Sequence, residues 1–230
     1  MKKIFIGLTG QTGAGKSTVC EMAKELSCRV INADKVAREV MGKNSECLKR
    51  LAEFFGSDII LSDGSCNRKL LAKRAFSSRE NTDILNSITH PAIIARVREY
   101  IDIYSKESDI IIFDAPQLFE SGGDKICDKI IAVLAPFEVR LERIMNRDGI
   151  SKEDALLRIS AQYGEDFFKS KSDYIIDGSQ TVEQVKNQFK KIILSLSEGS
   201  GSEKTGQSRN IYGNSDYNTC GTCVDNQKCQ

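Results

Sequence analysis

The chain carries almost no net charge: 33 basic side chains stand against 32 acidic ones, a formal balance of +1. A protein built for a duplex phosphate backbone needs a basic footprint, so nucleic acid is excluded as the main partner. No apolar run approaches the roughly 20 residues that cross a bilayer, which excludes a spanning helix. The opening Met1-Lys2-Lys3 before Ile4-Phe5-Ile6-Gly7-Leu8 has the outline of a signal peptide. Its apolar stretch is short, and no small-residue cleavage site precedes the glycine-rich loop and Lys16. The segment therefore reads as a buried first strand, and the protein is expected in the cytoplasm. Histidine is almost missing, with His90 as its single instance.

What is present is the mixture of an ordinary globular protein, with 40% apolar and 28% charged residues. A chain of 230 residues suffices for one α/β domain with a substantial core, with or without a small insertion. Eight cysteines do not make a disulfide framework in so long a chain. Cys20, Cys28, Cys47, Cys66 and Cys127 are scattered singly and read as small core-filling hydrophobes.

Short apolar runs at 3–9, 28–33, 109–113, 129–134 and 173–176 alternate with helical patterns, and several end at Gly or Asp. This alternation predicts a parallel five-stranded sheet covered by helices on both faces, a three-layer α/β fold. Between Asp34 and Asp109 no core strand is evident. Cys47–Phe55, Arg68–Phe76 and Thr82–Tyr104 look helical, with an Asp63-Gly64 turn between the first two. The stretch is long for a crossover and reads as a helical insertion, at about 45–105, either holding an acceptor or merely covering the sheet. Helical patterns also fill about 140–170.

Past Ser197 the apolar residues run out, so a domain over 1–198 is expected to give way to a disordered tail over 199–230. The tail contains Cys220-Gly-Thr-Cys223 and Cys229. A C-x-x-C pair can hold zinc or form a redox couple. Four ligands are not available locally and no histidine is near, so a flexible extension is the preferred reading.

The strongest motif is Gly10-Gln11-Thr12-Gly13-Ala14-Gly15-Lys16-Ser17, followed by Thr18. It satisfies G-x-x-x-x-G-K-[ST] at every fixed position between a strand and a helix, the context a phosphate-binding Walker A loop requires. Its glycines let main-chain N–H groups approach and converge on an anion, and the helix N-terminus adds its dipole. Lys16 is expected on the β- and γ-phosphates of ATP, and the Ser17 hydroxyl on Mg²⁺. No Asn/Thr-Lys-x-Asp guanine motif follows, which argues against a GTPase switch.

Two carboxylates lie at strand ends. Asp34 can orient and deprotonate a hydroxyl attacking the γ-phosphate, or it can cap a helix beginning at Lys35. Asp114 closes the run Ile110-Ile111-Ile112-Phe113, the Walker B pattern for a Mg²⁺ ligand; the alternative is a turn-forming Asp before Ala115-Pro116. Arg143 and Arg147 share a helical face, where they can reach one anion or belong to a solvated face with Glu142 and Asp148. His90 before Pro91 is either a ligand or a helix-start residue.

Taken in order, these motifs resemble the dephospho-coenzyme A kinase family. The likeness runs over about 3–195: the loop from Leu8 to Thr18, then Asn32-Ala33-Asp34 with Ala37-Arg38, Thr89-His90-Pro91, and Pro116-Gln117-Leu118-Phe119-Glu120. Arg143, Arg147, Arg158 and Gln162 complete it, before Ser172-Asp173-Tyr174-Ile175-Ile176. The resemblance implies a P-loop kinase with a helical lid at about 140–170, with ATP and Mg²⁺ as cofactors and dephospho-CoA as acceptor. It implies that Asp34 is the catalytic base beside Lys16. Gly10, Gly13, Ala14, Gly15, Lys16, Ser17, Thr18, Arg143 and Arg147 would hold the nucleotide. Thr9, Asp34, His90, Pro116, Leu118, Phe119 and Glu120 would meet the CoA precursor, in a monomer or small homo-oligomer. Departures from the family pattern are Asn32 for the first Asp, Gln11 and Thr12 within the loop, Gln117 for Leu, and Gly178 for Asn. Another nucleoside or nucleotide kinase is the alternative of the same class; a nucleotide switch without an acceptor is that of another.

Overall fold

The computed structural model describes residues 3–198; the expected tail, with Cys220, Cys223 and Cys229, lies outside them. Strands β1 (Ile4–Gly10), β2 (Arg29–Asn32), β3 (Ile110–Asp114), β4 (Lys129–Leu134) and β5 (Tyr174–Asp177) form one parallel sheet in the order β2-β3-β1-β4-β5. The expected three-layer architecture is thus present. Side chains alternate between two cores, as a strand's two-residue period demands. Ile6, Leu8, Ile110, Ile112, Ile131 and Val133 pack toward helices α1 (Lys16–Glu25) and α9 (Val182–Glu198). Phe5, Ile31, Ile111 and Phe113 face the opposite way, with Val36 of α2 (Ala33–Val40) and Val97 of α5 (Arg79–Tyr104). Burying each such aliphatic side chain contributes about 1.5–3 kcal/mol, so the layers hold the strand ends rigidly beneath the loops that follow them.

Helices α3 (Glu46–Phe55), α4 (Arg68–Ala75) and the first half of α5 form the insertion. It has its own core of Leu48, Leu51, Ile59, Leu71 and Ile88, separate from the sheet's two cores. Ser45, Asn67 and Ser78 cap its three helices through side-chain oxygens. Ser78 also explains why α5 begins before the expected Thr82: a cap at 78 recruits the polar turn Arg79-Glu80-Asn81. Pro91 lies inside α5, so His90 is a mid-helix residue and the helix-start reading is corrected. Pro91 has no N–H to give the preceding turn.

The second strand stops at Asn32, one residue before expectation, because Ala33 already belongs to α2. Asp173 precedes β5 instead of starting it, and its carboxylate binds Lys129 Nζ at 2.7 Å and Ile130 N at 2.9 Å. Helices α6 (Phe137–Asp148), α7 (Lys152–Ser160) and α8 (Glu165–Lys171) occupy the expected lid region. Cys20, Cys28 and Cys47 are buried free thiols, as core filling requires, while Cys66 and Cys127 are partly exposed. Among the described residues no helix is long and apolar enough to cross a membrane.

If the insertion stands on its own packing, Leu51→Ala should cost about 2–5 kcal/mol through the cavity it leaves. A urea titration of the variant against the native chain measures this.

Candidate active site

The loop after β1 is shaped for close approach. Gly13 and Gly15 hold φ of 78° and 98°, the left-handed region that side chains resist. A Cβ on Gly13 would lie 2.8 Å from the Arg140 carbonyl oxygen. Ala14 N and Thr18 N close turns onto the Gln11 and Gly15 carbonyls, each at 3.1 Å. Among the described residues, the amides of Gly13, Gly15, Lys16 and Ser17 have no such partner. Helix α1 starts with no side-chain cap and no acidic residue in its first turn. Its positive end is thus left for an external anion. The Ala14 side chain is fully buried, and its N–H is taken up by the Gln11 carbonyl.

The ends of three strands meet beside this loop. Register pairs Leu8 with Asp114 across β1 and β3, and Asn32 with Asp114 across β2 and β3. Asp114 is only 7% exposed. Its Oδ1 is held by the Lys16 ammonium and its Oδ2 by Asn32 Nδ2 at 2.7 Å. Ser17, Asn32 and Asp114 line a common cleft of about 310 Å³ with Cys20 and Lys35. Burial, reinforced by the Asp114 carboxylate, pushes the Cys20 thiol up to about 12, so no thiolate competes in this cleft.

Asp34 sits in the first turn of α2 with its side chain exposed. The cap of that helix is Asn32, whose Oδ1 accepts from Lys35 N at 2.9 Å. The alternative that Asp34 caps a helix beginning at Lys35 is therefore corrected. Helix α2 packs along α5, with Tyr100 donating to Glu39 at 2.7 Å, and this brings the helix of Asp34 beside that of His90.

The lid residues divide. Arg143 Nη1 donates to the carbonyls of Gly178 at 2.8 Å and Gly13 at 3.4 Å, which places its guanidinium at the phosphate loop. Arg147 is not brought there: it holds Asp148 through two 2.8 Å bonds, and Arg158 joins the same carboxylate. Gln162 Oε1 accepts from Thr12 N at 2.7 Å, a direct lid-to-loop contact.

The segment after β3 is seated by two fully buried residues. Thr9 Oγ1 donates to the Pro116 carbonyl at 3.3 Å, and Leu118 packs against Gly7 and Gly123. Expected as substrate contacts, both side chains are core groups that hold the segment, because neither has surface to offer. Phe119 packs edge-on to Phe167 and tilted to Phe168 of α8, and Glu120 is exposed.

A dephospho-CoA kinase family model, CoaE, matches residues 4–184. The chain belongs to the dephospho-CoA kinase family. A dephospho-CoA kinase of Listeria monocytogenes serotype 4b is 38% identical over 188 residues, covering 80% of this chain and 92% of that protein. The dephospho-CoA kinase of Campylobacter jejuni is 30% identical in structure alignment, with a TM-score of 0.65 over 85% of this chain and 98% of that one. TT1252 from Thermus thermophilus superposes with a TM-score of 0.74 at 28% identity, over 85% and 98% of the two chains. Membership makes the protein a phosphotransferase of the kinase class.

Within this family site, two residues carry more than their sequence positions suggested. Asn32 reads in the sequence only as a departure from an Asp; its two-way bonding emerges from the register of β2 on β3. Gly178 reads as another departure, yet a Cβ there would lie 1.8 Å from the Ala14 carbonyl oxygen. Neither signal is local, because each depends on a contact between distant segments.

Gly178→Ala should push the phosphate loop away and weaken ATP binding at least about tenfold, since backbone cannot yield as a flexible side chain does. Calorimetric titration with ATP, alongside an unchanged far-UV spectrum, checks this. Burial holds the His90 imidazole below its ordinary value of 6.5. The folded state then prefers the neutral ring, so its contribution is present above pH 6.5 and is lost as pH falls through the lower folded value. His90→Gln is expected to flatten the acid-side fall in urea stability below pH 6.5.

Proposed function

We propose that the chain is a dephospho-CoA kinase, transferring the γ-phosphate of ATP to the ribose 3′-hydroxyl of dephospho-CoA to give coenzyme A and ADP, the last step of CoA biosynthesis. The observation that supports this most is the convergence of three strand ends: the phosphate loop after β1, Asp114 ending β3, and Asn32-Ala33-Asp34 following β2. In this reading the unpartnered amides of Gly13, Gly15, Lys16 and Ser17 hold the triphosphate. Lys16 leaves Asp114 for the β- and γ-phosphates, which offer it a stronger set of acceptors. Arg143, already against Gly13, adds positive charge where the transferring group becomes more anionic.

Asp34 orients the acceptor hydroxyl and takes its proton. Its exposure suits a residue that meets a ligand, and Asn32 has relieved it of capping. The insertion, with His90, and the segment Pro116–Glu120 receive the CoA precursor. Closure of lid and insertion excludes water that would otherwise hydrolyse ATP. Ser17 and Asp114 supply hard oxygen donors in one cleft, and Asp114 already accommodates a cationic group, the Lys16 ammonium, so the donor set fits Mg²⁺. When bound, Mg²⁺ neutralises charge on the phosphates. In this reading the protein works in the cytoplasm as a monomer or small homo-oligomer.

The test is ADP release with and without dephospho-CoA, for the native chain and Asp34→Asn. Acceptor-dependent turnover should fall by about 10²–10⁴ in the variant, the range for loss of a general base, while ATP still binds. Native protein that ignores dephospho-CoA would refute the assignment, and equal turnover in both proteins would remove Asp34 from the chemistry.

A further inference from the structure

Asn32 uses both ends of its side-chain amide. Oδ1 accepts from Lys35 N at 2.9 Å and caps α2, while Nδ2 donates to Asp114 Oδ2 at 2.7 Å. The backbone makes this possible, since the two residues are direct register partners across β2 and β3. The geometry points to Asn32 as a positioning residue that ties the helix carrying Asp34 to the carboxylate that receives the metal. The inference rests on the functional reading given above, because it takes its two ends, base and metal ligand, from there.

The side-chain chemistry is selective. An amide presents an acceptor and a donor on separate atoms at the same reach. A carboxylate at position 32 would keep the cap but have no proton for Asp114. The 2.7 Å contact would then bring two like charges together, an arrangement relieved by a cation between them. A hydroxyl at position 32 would also keep the cap, but its oxygen stands one bond nearer the backbone and no longer reaches Asp114. The side chain therefore has two separable duties. The cap sets where α2 begins, and the bond to Asp114 sets where that first turn, with Asp34 in it, stands relative to the phosphate loop. Lys16 holds the other oxygen of the same carboxylate, so Asp114 is fixed from both sides before any ligand arrives.

Asn32→Asp and Asn32→Ser divide these duties. The measurements are kcat and KM, Mn²⁺ binding in the presence of ADP by electron paramagnetic resonance, and the urea midpoint. Asn32→Ser should lose about tenfold in kcat through misplacement of Asp34, with KM for ATP moving less than about twofold; Asn32→Asp, where a bound cation can bridge the two carboxylates, should lose less. Asn32→Asp should bind Mn²⁺ about threefold tighter or more, because a second carboxylate joins the donor set; Asn32→Ser should not. Urea midpoints should stay close to native, since both variants retain a capping oxygen. Native kcat in Asn32→Ser, or native Mn²⁺ binding in Asn32→Asp, would reduce Asn32 to a helix cap and overturn the inference. So would a kcat loss matched by a falling urea midpoint. If the native protein shows no acceptor-dependent turnover, the functional assignment fails, and the Mn²⁺ binding of Asn32→Asp still decides the bond between positions 32 and 114.

Discussion

The carboxylate of Asp114 is the point on which the site depends. An ionised carboxylate taken this far out of water is costly unless each oxygen finds a donor. Here Lys16 comes from the first turn of α1 and Asn32 from the end of β2. A single buried charge therefore gathers the phosphate loop, the edge strand and the helix of Asp34 around the end of β3. The same pairing sets the Lys16 ammonium at the mouth of the loop after β1. Lys16 and Asp114 satisfy each other, so neither charge stands bare in the protein.

The sheet makes the arrangement repeatable. Parallel pairing in register brings Leu8, Asn32 and Asp114 into one row, and the apolar alternation behind them buries both faces of each central strand. Placement of the loops is thus inherited from the core: Ile110 to Phe113 fill the two cores, and Asp114 follows at the edge because the apolar run ends there. The insertion behaves differently. Its fully buried residues form a cluster of their own, joined to the sheet through α5 and through Val40, which packs against both clusters.

Much of this was legible in the chain. Strands β1, β3 and β4 are near-continuous apolar runs, and the glycine-lysine-serine loop has a mechanism at each fixed position. Positions decided by contact between remote segments were not legible. Nothing local to Asn32 announces Asp114, and nothing local to Gly178 announces the Ala14 carbonyl. Thr9 and Leu118 failed in the opposite sense: motif position suggested ligand contact, while burial assigns them to holding the Pro116 segment. Ser78 lengthened α5 because a capping hydroxyl outweighs the polarity of the turn after it, and periodicity alone does not register that.

The lid combines firm and loose attachments, and the difference follows from burial. Arg143 donates to two backbone carbonyls, and Phe119, Phe167 and Phe168 lock α8 to the segment after β3 through mutual ring contacts. Tyr163 stacks on Phe167 with centroids 3.8 Å apart, one residue beyond the Gln162 that touches the loop. Phe168 at the centre of these rings is buried, and the stacked and edge-on contacts around it hold α8 in place. The pairs of Asp148 with Arg147 and Arg158 are solvent-exposed on the arginine side, where an ion pair is worth at most about 1 kcal/mol. Two guanidinium groups can therefore leave Asp148 at little cost. The firm contacts fix α8 and the Arg143 guanidinium, while the weak ones leave Arg147 and Arg158 loosely tethered to Asp148.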